Sequence, residues 1–67
     1  MTDVKRLSDA IKNSGLKKVY IAEKLGLSYQ GYLNKENGKN DFTQSEIALL
    51  KDLLGFTNKE VSEIFLQ

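Results

Sequence analysis

Val19-Tyr20-Ile21-Ala22-Glu23-Lys24-Leu25-Gly26-Leu27-Ser28-Tyr29-Gln30-Gly31-Tyr32-Leu33-Asn34-Lys35-Glu36-Asn37-Gly38 holds two short helical patterns that meet at a turn. In the first, Ile21, Ala22 and Leu25 fall at i, i+1 and i+4, one apolar face on a 3.6-residue period. Gly26 ends that pattern where a left-handed residue is needed, leaving a turn of only about three residues. Ser28 then occupies an N-cap position. Its hydroxyl can accept an unpaired amide proton of the next first turn, so a second helix starts at Tyr29 and spans roughly Tyr29 to Lys35. Helices joined this tightly cross steeply, and two small residues fit that geometry: Ala22 allows close approach, and Gly26 supplies a positive φ that a β-branched residue tolerates poorly.

Outward from this centre the chain continues in helices. The first has Thr2 or Asp3 as its cap and runs to Ser14, with Val4, Leu7, Ala10 and Ile11 as its inward stripe and Gly15 as its stop. The helix before the turn starts at about Lys17 or Lys18, without a good capping side chain. After Lys35, the segment Glu36 to Asp41 has the Asn, Gly and Lys content of an exposed turn, with Gly38 at a positive φ. Thr43 and Glu46 then form a capping box, and Phe42 can staple onto Ile47. Ile47, Leu50, Leu53 and Leu54 face inward as far as Gly55. The same design recurs in Phe56, Thr57, Glu60 and Val61, opening a last helix that carries Val61, Ile64, Phe65 and Leu66. With no Pro and no period-two strand, residues 1–67 read as one all-α domain, a compact bundle of about five helices.

Composition bounds the function. A chain of 67 residues must use most of its apolar side chains for a marginal core. It has no Cys and no His, which removes thiolate ligands, disulfides and the commonest general base. No catalytic residue, metal site, cofactor or small-molecule substrate is therefore expected. Apolar runs are far shorter than the roughly 20 residues of a membrane span, and the N-terminus lacks a signal-peptide pattern, so the expectation is a cytoplasmic protein with no membrane partner. The net charge is only +1, but it is divided: residues 1 to 40 balance at +4 and residues 41 to 67 at −3. One face can be positive on a near-neutral molecule.

The helix pair presents Tyr29, Gln30 and Asn34 outward while Tyr32 turns into the core, and a helix protruding in this way fits the DNA major groove. At Ile21-Ala22-Glu23-Lys24-Leu25-Gly26-Leu27-Ser28 and Asn37-Gly38-Lys39 the sequence resembles the Cro and lambda-repressor-like helix-turn-helix family of phage and bacterial regulators. The run from Tyr32 through Lys35, Asn37, Gly38 and Lys39, then Phe42, Thr43, Glu46, Ile47 and the terminal Ile64-Phe65, is similar to small prophage regulators of Gram-positive bacteria. The resemblance implies a transcriptional regulator, Cro-like or a compact repressor, bound to double-stranded operator DNA in the bacterial nucleoid and dimeric at least on that DNA. It implies base contacts from Tyr29, Gln30 and Asn34, the two amides being suited to adenine. It implies phosphate contacts from Lys18, at a position where glutamine is more usual, and from Asn37, Lys39 and Asn40.

Several residues carry two readings. Lys17 and Lys18 oppose the macrodipole at a helix start, which a phosphate between them would relieve; otherwise they are solvated. Lys35 stands where the family has an aliphatic residue, so it either lays its stem along the core or swings out to DNA. Gly31, in the first turn of the outward helix, costs up to about 1 kcal/mol relative to Ala and either admits close approach to a duplex or has no role. Tyr29 contacts DNA or covers the core edge. Tyr20 is a partly exposed packing ring or a backbone contact. Phe65 and Leu66 dock on the bundle or form a two-fold contact. The rival function is a protein-interaction module, antirepressor- or antitoxin-like, in which the acidic half and apolar tail bind a partner protein.

Overall fold

The computed structural model describes residues 1–66, and these form five α-helices with no strand. They are α1 (Val4–Ser14), α2 (Lys18–Lys24), α3 (Tyr29–Glu36), α4 (Gln44–Leu54) and α5 (Asn58–Phe65). Every helix but α2 is launched by a side chain. Asp3 accepts from the Arg6 amide, Ser28 from Gly31, Thr43 from Glu46 and Thr57 from Glu60. Both capping boxes are complete, because the Glu46 and Glu60 carboxylates accept in turn from the Thr43 and Thr57 amides at 2.9 Å. Lys17, at the start of α2, makes no such bond, because its ammonium can donate but not accept.

The two helices of the quoted stretch pack on each other, and α1 touches α3, α4 and α5. At the turn, Leu25 keeps a right-handed conformation and Gly26 takes φ +72°, after which the Leu27 amide returns to the Ala22 carbonyl at 2.9 Å. That left-handed residue reverses the chain within the space between α2 and α3. Ala22 is buried at the crossing.

The core is one cluster of aliphatic and aromatic side chains. Leu7, Ile11, Ile21, Ala22, Leu25 and Leu50 are buried together with Tyr32, Phe42, Phe56, Ile64 and Phe65. Ring centroids run from Tyr32 to Phe42 at 6.3 Å, from Phe42 to Phe65 at 5.6 Å, and from Phe65 to Phe56 at 6.3 Å, each pair tilted or edge-on as aromatic quadrupoles favour. Phe65 therefore docks on the bundle, whereas Leu66 stays exposed. The Asp3 amide donates to the Ile64 carbonyl at 2.6 Å, tying the start of α1 to α5.

Two details depart from the sequence pattern. Val4 is not part of the inward stripe. It lies at the exposed margin, with its Cγ2 against the Gly38 backbone, so the first turn of α1 overhangs the loop after α3. Glu36 is not in an exposed turn: α3 continues through it, and it is buried.

Candidate nucleic-acid interface

The site is built on α3. Ser28 fixes its first turn, and Gly31 sits directly beneath the cap: the Gly31 amide donates to Ser28 Oγ at 3.0 Å, and a Cβ at Gly31 would lie 2.9 Å from that oxygen. The glycine thus fits the cap closely, a local reason for it that needs no ligand. Tyr29 and Gln30 are exposed, and Asn34, one turn on, is half-buried. Gln30 Nε2 donates to Asn34 Oδ1 at 3.0 Å. The two amides, four residues apart, are aligned along one helical face and leave Gln30 Oε1 and the Asn34 amino group free of that bond.

The inner side of α3 is anchored by charge. Tyr32 Oη donates to Glu36 Oε1 at 2.8 Å, and Lys18 Nζ donates to Glu36 Oε2, also at 2.8 Å. Only 3 % of the Glu36 side chain is exposed, against 42 % of Lys18. Burial, the hydrogen bond to Glu36 and the charge of that carboxylate all push the Tyr32 phenol far above its ordinary pKa, so it remains a donor. The group clamps the start of α2 to the end of α3.

A second clamp joins α3 to α4. Lys35 Nζ lies 2.6 Å from Glu46 Oε1, the oxygen that also accepts from the Thr43 amide. Burial works to raise the Glu46 carboxyl pKa, but the hydrogen bonds from Lys35 and Thr43 and the Lys35 charge outweigh it and hold it below its ordinary value. Lys35 thus takes the inward of its two readings, its ammonium spent on Glu46.

The remaining cationic and amide positions are open. Lys17 is exposed at the N-cap of α2, and Asn37, Lys39 and Asn40 are exposed after α3. The Lys39 and Asn40 amides both return to the Asn34 carbonyl, at 2.9 and 3.4 Å, which folds this loop against the end of α3. The structure thus groups Tyr29, Gln30 and Asn34 on α3 with Asn37, Lys39 and Asn40 just beyond it, and draws Lys18 and Lys35 toward internal carboxylates. Sequence reading missed Glu36; its signal was the Tyr32 to Glu36 spacing of one helical turn. Among the described residues no cluster of three or more acidic side chains is placed to hold a metal ion, and no helix is long and apolar enough to cross a membrane. No family model matches the chain, and neither curated proteins nor solved structures yield a match.

Proposed function

We propose that this chain is a sequence-reading DNA-binding domain of the Cro and lambda-repressor-like type, acting as a transcriptional regulator by seating α3 in the major groove. The observation that carries the reading is the Gln30–Asn34 amide pair on the outward side of a short helix capped by Ser28 at its start and held by two ion pairs at its end. An α-helix is about 10–12 Å across and the major groove about 12 Å wide, so side chains on the leading face meet base edges. Adenine offers an acceptor at N7 and a donor at N6. Asn34 can match both with its amino group and the second lone pair of Oδ1, while Gln30 holds its orientation from behind. Such prior alignment lowers the ordering cost of contact. Lys17 and Lys39 supply the phosphate contacts, with Asn37 and Asn40 as neutral donors beside them. Such contacts set register without reading sequence.

A second reading draws on a specific observation. Because Lys18 and Lys35 are paired with Glu36 and Glu46, two of the cations beside α3 are engaged inside the molecule, which favours a partner protein over a polyanion. The two readings separate in one titration. Affinity is measured for a duplex carrying the DNA upstream of the protein's own reading frame and for a random duplex, each at two salt concentrations. Nonspecific phosphate binding falls with salt by roughly 0.9 in log–log slope per contact, whereas base reading leaves a specificity ratio that survives. A large ratio at the higher salt supports the regulator; no binding to either duplex supports the protein-interaction module.

A further inference from the structure

We propose that Asn37–Gly38 is a site of spontaneous covalent modification, at which the Gly38 backbone nitrogen attacks the Asn37 side chain and converts its amide to a carboxylate. Of the five asparagines in the chain, Asn37 alone precedes a glycine. Asn13, Asn34 and Asn58 lie inside helices, and Asn40 is followed by Asp41, whose side chain shields the amide behind it. Asn37 sits just past the last turn of α3, with its side chain exposed and making no hydrogen bond among the described residues. The attacking nitrogen must be unhindered, and Gly38 has no Cβ to cover it.

The step balances with water as its only co-reactant. The Gly38 nitrogen gives up its proton and bonds to Asn37 Cγ, closing a cyclic imide; the Cγ–Nδ2 bond breaks, and that nitrogen leaves with the proton as ammonia. Water then opens the ring at either carbonyl, giving aspartate, or isoaspartate with the main chain routed through the side chain. The folded loop sets the rate. At ψ 2° the Gly38 nitrogen eclipses the Asn37 N–Cα bond, whereas ring closure needs it to eclipse Cα–Cβ. The rotation between the two breaks the bond from the Gly38 amide to the Lys35 carbonyl, 3.2 Å, and draws the Lys39 and Asn40 amides off the Asn34 carbonyl, now at 2.9 and 3.4 Å. These bonds lie at an exposed helix end, where opening costs little. Modification therefore proceeds in the folded chain, more slowly than in an unfolded one.

The product acts on the loop that carries it. An ionised carboxylate accepts hydrogen bonds but cannot donate them, and it takes the formal net charge from +1 to zero, two residues from Lys39. The modification itself does not depend on what the protein binds. Its consequence rests on the DNA-binding reading: Asn37 changes from a donor to phosphate into a group that repels phosphate, so affinity falls with age for every duplex alike.

The test is peptide mapping by mass spectrometry of the full chain held folded at neutral and at mildly alkaline pH, beside the same chain unfolded in guanidinium chloride. The expected result is an NH-to-O mass change at residue 37 ahead of every other asparagine, present as aspartate and isoaspartate, faster at the higher pH and faster still in the unfolded chain. Asn37→Gln keeps an amide but needs a larger ring, and its residue 37 is expected to stay intact; circular dichroism checks that it is folded. Residue 37 intact in the folded chain when the unfolded chain is fully converted overturns the proposal. So does another asparagine of the folded chain converting first, and equal rates folded and unfolded overturn the gate. Fresh and aged wild type are then titrated with the cognate and random duplexes. The aged chain is expected to bind both more weakly, with a log–log salt slope smaller by up to about 0.9, one phosphate contact, a change the Asn37→Gln chain should not show on ageing. Fresh protein that binds neither duplex defeats the DNA-binding reading and leaves the mass result standing; aged protein that binds as well as fresh overturns the consequence for DNA.

Discussion

Replacing Lys35 with Met removes the ammonium that joins α3 to α4 and keeps an unbranched stem of similar reach. The ion pair is 2.6 Å long, and the Lys35 and Glu46 side chains are 17 % and 11 % exposed. That places it between an exposed pair, worth about 0–1 kcal/mol, and a fully buried one, whose broken half costs about 3–5 kcal/mol. Glu46 keeps its bonds to Thr43 in the variant, so the carboxylate is not stranded. The expected loss is therefore about 1.5–3 kcal/mol, the range for one hydrogen bond to a charged group. Each kcal/mol lowers Tm by about 4–8 °C in a domain of this size. Urea unfolding at neutral pH measures the loss directly. Glu46→Gln keeps an acceptor for the cap but removes the charge, and a double-mutant cycle with Lys35→Met should give a coupling of about 0.5–3 kcal/mol. The pH dependence has a definite sign. A carboxyl whose pKa is lower folded than unfolded stabilises fully above its unfolded value, about 4.3, and that contribution is lost as the pH falls through the folded value. The gap between parent and Lys35→Met should thus narrow below about pH 4. A variant within about 0.5 kcal/mol of the parent, or an absent coupling, would refute the clamp. DNA affinity should be unchanged while the variant stays folded; an equal loss on every duplex would return Lys35 to the phosphate backbone.

Gln30→Ala and Asn34→Ala should each weaken binding to the cognate duplex by about 1–3 kcal/mol and leave random-duplex affinity and unfolding midpoint nearly unchanged; titration with both duplexes checks this. Tyr32→Phe removes the donor to Glu36 within the core, leaves Lys18 as that carboxylate's partner, and should cost about 1–3 kcal/mol in urea unfolding. Thr57→Ala breaks the second capping box and should cost about 0.5–2 kcal/mol, with any local increase in residue-resolved hydrogen exchange confined to the first turn of α5.

The parts of the fold that could be read in the sequence are those whose causes are local. Ser28, Thr43 and Thr57 announce helix starts because a cap and its amide lie within one turn, and Gly26 announces the reversal because its backbone conformation is its own. The exposed candidates on α3 were legible for the same reason: period alone assigns Gln30 and Asn34 to the side opposite Tyr32. What was not legible depends on chain segments meeting. Lys18 and Glu36 are eighteen residues apart, and Lys35 and Glu46 eleven, so nothing in either neighbourhood shows that each lysine has an internal carboxylate waiting. Val4 fits the helical stripe by period, yet its turn extends past the core and covers Gly38. Phe65 and Leu66 are adjacent and similar in character; only the position of Phe42 and Phe56 decides which of the two is taken inside.

The four rings of the core bear on how the molecule comes apart. Tyr32, Phe42, Phe65 and Phe56 belong in turn to α3, the α3–α4 connection, α5 and the α4–α5 connection, and each touches the next. Close-packed rings shift together or not at all, so α5 cannot peel away without loosening the seat of α3. Helical ends ordinarily fray at almost no cost, but here the end of α5 is held by the Phe65 ring and by the Asp3 amide on the Ile64 carbonyl. Amide protons at Asp3 and in the last turn of α5 should therefore exchange only with global unfolding, and a protease that clips Phe65 should release the whole domain at once rather than shorten it by a turn.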